Sequence, residues 1–264
     1  MFKKEMIVRK LIINLYKYKF LKRIVPSIFK IYLKIFNIQN INIKHKNVLL
    51  HLNLKNPIDR EIYLKDNYEK KQIEFLISSI KKKEIKIFLD VGAHMGFYSI
   101  KIAKFVQRVY AFEPIKNNYN QFKKNMSINK IKNIKIFNTA LSDTKKNIKM
   151  WVPDENKTGG FSVLDSTDLE LKKYDQKKTF SIQSSSKKLD NILRIKEKKI
   201  AIKIDVERHE EKVIRGGVNL LTKNNVFLQV EIFPSKKKKV LHLLRSLKYS
   251  LIQKYGNDYF FTNY

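Results

Sequence analysis

The stretch 85–114 constrains the fold more than any other part of the chain. Residues 85–89 form a short apolar run with β-branched and aromatic side chains, the pattern of a buried strand. The run ends in Asp90. Gly92 and Gly96 then bracket a tight turn, 98–106 has a helical pattern, and 108–112 is a second strand closed by Glu113 and Pro114. Glycines in such a loop admit backbone conformations closed to other residues and let the chain approach a ligand. The following helix points free N–H groups at whatever sits over the loop. Glu113 lies 113 − 90 = 23 residues after Asp90, near the roughly 20-residue spacing at which an acid meets ribose hydroxyls. The unit therefore predicts a nucleoside-containing cofactor.

Two details favour S-adenosylmethionine over a dinucleotide. The loop reads Asp-x-Gly-Ala-x-x-Gly and lacks the Gly-x-Gly-x-x-Gly that packs against a pyrophosphate. Asp90 would also repel a pyrophosphate, yet it suits a cationic amino-acid group. The candidate cofactor residues are Asp90, Gly92, Ala93, His94, Met95, Gly96, Phe97, Tyr98, Glu113 and Pro114. Ala140 and Leu141, after a third strand at 134–137, are small and apolar enough to line the adenine side.

A chain of 264 residues with 43% hydrophobic content can bury one large α/β domain and carry an extension. It has no cysteine, which excludes disulfides, thiolate metal sites and cysteine nucleophiles and fits a reducing, cytoplasmic setting. No run approaches the roughly 20 apolar residues of a transmembrane helix, and no secretory signal is expected at the N-terminus. The net charge of +32 suggests nucleic acid, but only eight of the 56 basic residues are arginine. Specific phosphate and base readers prefer arginine. An acidic or lipid-bound partner therefore fits the charge better than nucleic acid does.

Residues 1–45 read as a basic amphipathic helical extension, interrupted at Pro26 and resuming at 28–36. Residues 1–40 could lie on an anionic membrane surface, peripheral to its inner face, or serve as a packing arm. A lead-in strand and helix fill 46–83, and the catalytic domain follows at 84–264. Residues 144–186 interrupt the alternation of strands and helices and are a candidate insertion over the site, with Gly159-Gly160 as its lid or turn. An apolar strand at 200–206 ends in Asp205-Val206-Glu207-Arg208-His209-Glu210, and one at 226–230 ends in Glu231. The turn at Gly256 joins strands at 249–253 and 259–262, predicting one antiparallel edge strand on an otherwise parallel sheet. Ligands in open α/β sheets bind beyond the carboxyl ends of the strands, so Asp90, Glu113, Asp205 and Glu231 converge on one rim.

The motifs Phe-Leu-Asp-Val-Gly-Ala-His-Met-Gly-Phe-Tyr (88–98), Ala-Phe-Glu-Pro (111–114), Ala-Leu-Ser-Asp (140–143), Gly-Gly-Phe-Ser (159–162), Lys-Ile-Asp-Val-Glu (203–207) and Val-Glu (230–231) occur in order. With them the chain resembles the FkbM family of S-adenosylmethionine-dependent methyltransferases. The resemblance implies a Rossmann-like class I fold, with a mostly parallel seven-stranded sheet and one antiparallel strand near the C-terminus. It also implies O-methylation of hydroxyls on sugars or polyketide-type products. Two positions depart from the family: His94 stands where it usually has Asn, and Arg208 where it usually has Gly.

The candidate catalytic residues are Asp205, Glu207, His209 and Glu231, with Asp205 or His209 as the base that takes the acceptor proton. A divalent cation on Asp205, Glu207 or Glu231 is the less favoured alternative. The expected acceptor is a glycan or small-molecule hydroxyl. Two rivals remain, an RNA ribose 2′-O-methyltransferase and a non-catalytic membrane-associated scaffold. C5-pyrimidine transfer through an enzyme cysteine is excluded by composition.

Overall fold

Runs such as Phe88-Leu89 and Ile200-Ala201-Ile202 are apolar on both faces, and strands of that kind need cover on both sides. The computed structural model of the chain describes residues 2–16, 18–152 and 180–264. It divides into two units, Met1–Lys70 and Lys71–Tyr264.

The first unit contains α1 (Phe2–Leu15), α2 (Leu21–Ile35), the antiparallel hairpin β1 (Asn40–His45) and β2 (Val48–Asn53), and α3 (Pro57–Leu64). Alternation turns Ile41 and Ile43 of β1 and Val48, Leu50 and Leu52 of β2 to the buried side. The hairpin straddles the boundary expected at 45/46, because 40–45 alternates as a strand. Asn56 caps α3 by accepting from the Ile58 N–H at 3.0 Å, and Pro57 occupies the first turn, where no donor is needed. The interruption expected at Pro26 does not occur: α2 runs through it, and the break falls between Leu15 and Leu21. Proline deprives only one carbonyl, that of exposed Lys22, of its donor.

The second unit opens one residue into α4 (Lys70–Lys82), followed by β3 (Ile87–Val91), α5 (Phe97–Ile102), β4 (Arg108–Phe112), α6 (Lys116–Ile128) and β5 (Ile134–Phe137). A small sheet then forms from β6 (Ala140–Leu141), β7 (Lys146–Val152) and β8 (Phe180–Lys187), in the order β6-β8-β7. β7 and β8 fall in the expected 144–186 insertion, and β6 precedes it; Gly159-Gly160 and the rest of its loop lie outside the described residues. The chain continues through α7 (Leu189–Ile192), β9 (Lys199–Ile204), α8 (Glu210–Gly216), α9 (Val218–Thr222), β10 (Asn225–Glu231), α10 (Lys237–Ser246), β11 (Ser250–Tyr255) and β12 (Asp258–Thr262).

The main sheet has the order β11-β12-β10-β9-β3-β4-β5. It is a mostly parallel, seven-stranded, Rossmann-like sheet, as expected. Its order reverses between β3 and β9, and such a switch point opens a crevice at the carboxyl ends of the two strands. The antiparallel strand is not at the edge. β12 pairs antiparallel with both β10 and β11 and lies between them. Burial explains the placement: Tyr259, Phe260 and Phe261 are all buried, whereas β11 is largely exposed and can face water at the rim.

One face of the sheet is dry. Leu89, Val91, Ile202, Ile204, Leu228 and Val230 pack there with Val213, Leu220 and Leu244. The other face carries a polar row, since Asp90 pairs with Lys203 and Lys203 with Gln229 across three adjacent strands.

Candidate active site

The glycine loop is gripped by the protein itself. The N–H groups of Gly92 and Ala93 both donate to the Phe112 carbonyl at 3.0 Å, and Asn125 Nδ2 donates to the Met95 carbonyl at 3.0 Å. Gly92 has φ +83°, and a Cβ there would sit 1.7 Å from the Asp205 carbonyl oxygen. Gly96 has φ +87°, and a Cβ there would meet the Phe122 ring at 2.2 Å. Both glycines are thus demanded by backbone conformation and by protein packing, where the sequence alone suggested approach to a ligand.

Asp90 is buried at the end of β3. Its Oδ2 accepts from Ser99 Oγ at 2.6 Å and Ser99 N at 3.1 Å, so it holds the first turn of α5. Its Oδ1 is buried without a hydrogen-bond partner among the described residues. Glu113 is also buried. Its Oε2 accepts from His94 N at 2.8 Å, and its Oε1 accepts from Ile115 N at 2.8 Å and Asn118 Nδ2 at 3.3 Å. Burial, against those three bonds, pushes the Glu113 carboxyl up to about 7. Ala140 and Leu141 are buried: Ala140 packs with Ile115, Ile148 and Met150, and Leu141 with the main core.

Across the switch point stands Lys203, a cation buried in the centre of an apolar strand. Its Nζ donates to Asp205 Oδ2 at 2.7 Å and lies 4.6 Å from the centre of the Tyr98 ring. Burial acts to raise the Asp205 carboxyl, but the Lys203 ammonium and hydrogen bonds from Glu231 and Lys203 outweigh it and hold Asp205 low. Glu231 moves the opposite way: burial and the Asp205 charge push it well up, so it holds a proton and shares it with Asp205. Burial, then Asp205 and Glu210, also raise Glu207. The row continues outward. Gln229 Nε2 donates to Asp258 Oδ1 at 2.8 Å, and Asp258 pairs with Glu231 in register.

His209 lies at the start of α8, with its Nε2 3.0 Å from Ser142 Oγ. Arg208 places its guanidinium 4.9 Å from the centre of the Phe233 ring. Among the described residues no group of three or more His, Asp or Glu side chains is placed to hold a metal ion.

Both departures from the family pattern fall at left-handed backbone positions, φ +50° at His94 and φ +75° at Arg208. Asn tolerates that region and Gly suits it, which accounts for both family preferences without a chemical role. His94→Asn should therefore leave stability within about 0.5 kcal/mol, whereas His94→Val should cost roughly 1–3 kcal/mol. Urea unfolding of the two variants checks this; equal losses would place the constraint in the imidazole instead.

Glu210 is fully buried. Its Oε1 accepts from Arg208 N at 3.0 Å and Val206 N at 3.4 Å, and its Oε2 has no hydrogen-bond partner among the described residues. Burial pushes its carboxyl up to about 7 from an ordinary 4.5. The folded chain then keeps a proton that the unfolded chain releases. The resulting stability is full below about pH 4.5 and is lost as pH rises through about 7. Glu210→Gln keeps the Oε1 acceptor and should remove roughly 3 kcal/mol of that fall. Urea unfolding across this pH range measures it, and an unchanged profile would assign the fall to other groups.

The sequence reading missed Lys203, Gln229 and Asp258. Lys203 had a signal: a lone charge in Ile-Ala-Ile-Lys-Ile needs a buried counter-ion. Gln229 and Asp258 had none until strand register was known.

A family model described as "Methyltransferase FkbM domain" matches residues 90–258. Among curated relatives, a tRNA/tmRNA (uracil-C(5))-methyltransferase from Campylobacter lari is 27% identical over 121 residues, which are 44% of this chain and 33% of that protein. The chain thus spans about a third of the relative it matches. Among solved structures, an rRNA methylase from Streptococcus thermophilus is similar over 73% of this chain and 92% of its own, with 11% identity and a TM-score of 0.43. A putative methyltransferase from Streptococcus mutans, in complex with SAH, covers 73% and 94% with 11% identity and a TM-score of 0.41. Likenesses of that order leave the site to be read from this chain's own residues.

Proposed function

The chain belongs to the FkbM methyltransferase family, and from that premise we propose that it methylates a hydroxyl oxygen of a sugar or related small acceptor, using S-adenosylmethionine. The observation that carries the reading is the Lys203–Asp205–Glu231 cluster at the carboxyl ends of β9 and β10, whose first strand borders β3 and its glycine loop.

The residues present fit the cofactor. Asp90 offers a buried, unpartnered oxygen. Asp90 and the ionised Asp205 lie beside one lysine, and their acceptor oxygens suit the ammonium of a cationic ligand. Glu113 accepts three hydrogen bonds and keeps lone-pair capacity for a ribose hydroxyl. When bound, the cofactor supplies an electrophilic methyl group.

The chain's own residues supply orientation and a place for the proton. Asp205 is ionised and partly exposed, at 29% of its side chain. It can accept a hydrogen bond from an acceptor hydroxyl and aim the oxygen. Held low by Lys203, it is a weak base, so its main contribution is alignment, with proton uptake late in the transfer. Glu231, already protonated, donates to Asp205 and fixes its orientation. His209 is engaged with Ser142, which makes it the second choice for the base.

A rim of carboxyl groups, partly protonated, can both accept from and donate to the hydroxyls of an uncharged polyhydroxyl acceptor. RNA is the second reading, favoured by the chain's +32 charge and by the name of the Campylobacter lari relative. That relative's named target is carbon 5 of uracil, and this chain has no cysteine for a covalent route. Incubation with methyl-labelled cofactor and parallel panels of glycans and RNA separates the two. Label in an alkali-stable methyl ether on the glycan supports the proposal, and label confined to RNA would overturn it.

A further inference from the structure

Helix α2 carries two apolar faces where folding needs one. Val25, Phe29 and Leu33 are buried, and Phe29 stacks on Tyr63 with ring centres 4.9 Å apart. A second face holds Ile24, Ile28, Ile31 and Ile35, whose steps of four, three and four residues align them in one stripe. Their exposures are 49, 60, 59 and 71%, and Phe20, at 71%, continues the stripe one turn back. A single exposed isoleucine is ordinary; four in line are not.

The surrounding charge identifies what such a stripe would meet. From Met6 to Ile58 the chain has eleven Lys or Arg residues and no Asp or Glu. Arg23, Lys30 and Lys34, all exposed, fall together on one flank of the stripe at helical spacing. A second copy of the chain would bring the same net positive charge against this one, so self-association is disfavoured. No described helix is long and apolar enough to cross a membrane.

We infer that α2 docks on an anionic phospholipid surface, lying in its plane. The isoleucines seat at the boundary between headgroups and acyl chains, and the flanking cations meet the lipid phosphates. An apolar stripe edged with lysine and arginine is the pattern of a helix that lies on a membrane.

Vesicle sedimentation of the full chain tests the inference. Binding is expected to phosphatidylcholine vesicles containing phosphatidylserine, to weaken as salt rises, and to be far weaker without the anionic lipid. Ile28→Asp and Ile31→Asp should each reduce it at least about tenfold. Their urea midpoints should match the parent, because both side chains face solvent. Vesicle binding that both variants retain would overturn the inference, since charge alone would then explain it. So would tighter binding to RNA than to these vesicles, a parent dimer that the variants dissolve, or a lowered midpoint showing the stripe to be packed.

Discussion

Asp205→Asn should lower methyl transfer by about 10²-fold, the cost of losing alignment of the acceptor. The substitution keeps size and removes charge. Lys203, buried in its strand, loses the anion that it contacts at 2.7 Å, and Glu231 loses the carboxylate with which it shares a proton. Leaving the buried Lys203 ammonium without its anion also costs stability, about 3–5 kcal/mol, so rates are compared under conditions where urea unfolding shows the variant folded. The informative comparison is Glu231→Gln, which can still donate a hydrogen bond to Asp205 and should reduce transfer by only about tenfold. Labelled methyl transfer, with cofactor affinity followed by calorimetry, separates the cases. If Asp205→Asn turns over at the parental rate, Asp205 does not align the acceptor and the proposed site is wrong.

Gly92→Ala should destabilise the chain by roughly 3–5 kcal/mol. A methyl there would stand 1.7 Å from the Asp205 carbonyl oxygen, at a backbone φ of +83° that alanine resists. The colliding atom is backbone at the end of β9, whose Asp205 N–H donates to the Val91 carbonyl at 3.0 Å, so it cannot swing aside as a side-chain tip could. Gly256→Ala is the control. Its φ is +61°, but nothing lies within 4 Å of the added methyl, so only the conformational penalty of about 1 kcal/mol is expected. Urea unfolding of both variants measures the difference. Equal losses would show that the turn conformation, and not the collision with Asp205, makes Gly92 necessary.

Much of the fold was legible because the strands of this sheet are apolar on both faces and their ends carry acids. Runs such as Ile200-Ala201-Ile202 locate strands, and Asp90, Glu113, Asp205 and Glu231 mark their carboxyl ends. Lateral order was less legible. The turn at Gly256 identified the hairpin, but only burial on both faces of Tyr259–Phe261 puts β12 inside the sheet and leaves polar β11 at the rim. The site was legible as acids and not as a network. Lys203 and Asp205, two residues apart, share a face by local spacing, but Lys203 meets the Tyr98 ring on α5 and Gln229 meets Asp258 on β12 only through tertiary placement and strand register, which no local spacing encodes. His94 and Arg208 illustrate the converse. Read as chemistry they are departures; read as φ angles they are residues occupying left-handed positions.

The position of β12 also fixes an order of assembly. This strand is synthesised after every other strand of the sheet, yet its place is between two of them. Until residues 258–262 leave the ribosome, β10 presents an open edge and β11 has no neighbour to join. Asp258, the outermost acid of the polar row, arrives with the same strand. The nascent chain therefore completes its sheet and its charge network in one late event, and a shortened product ending before Asp258 would leave both incomplete.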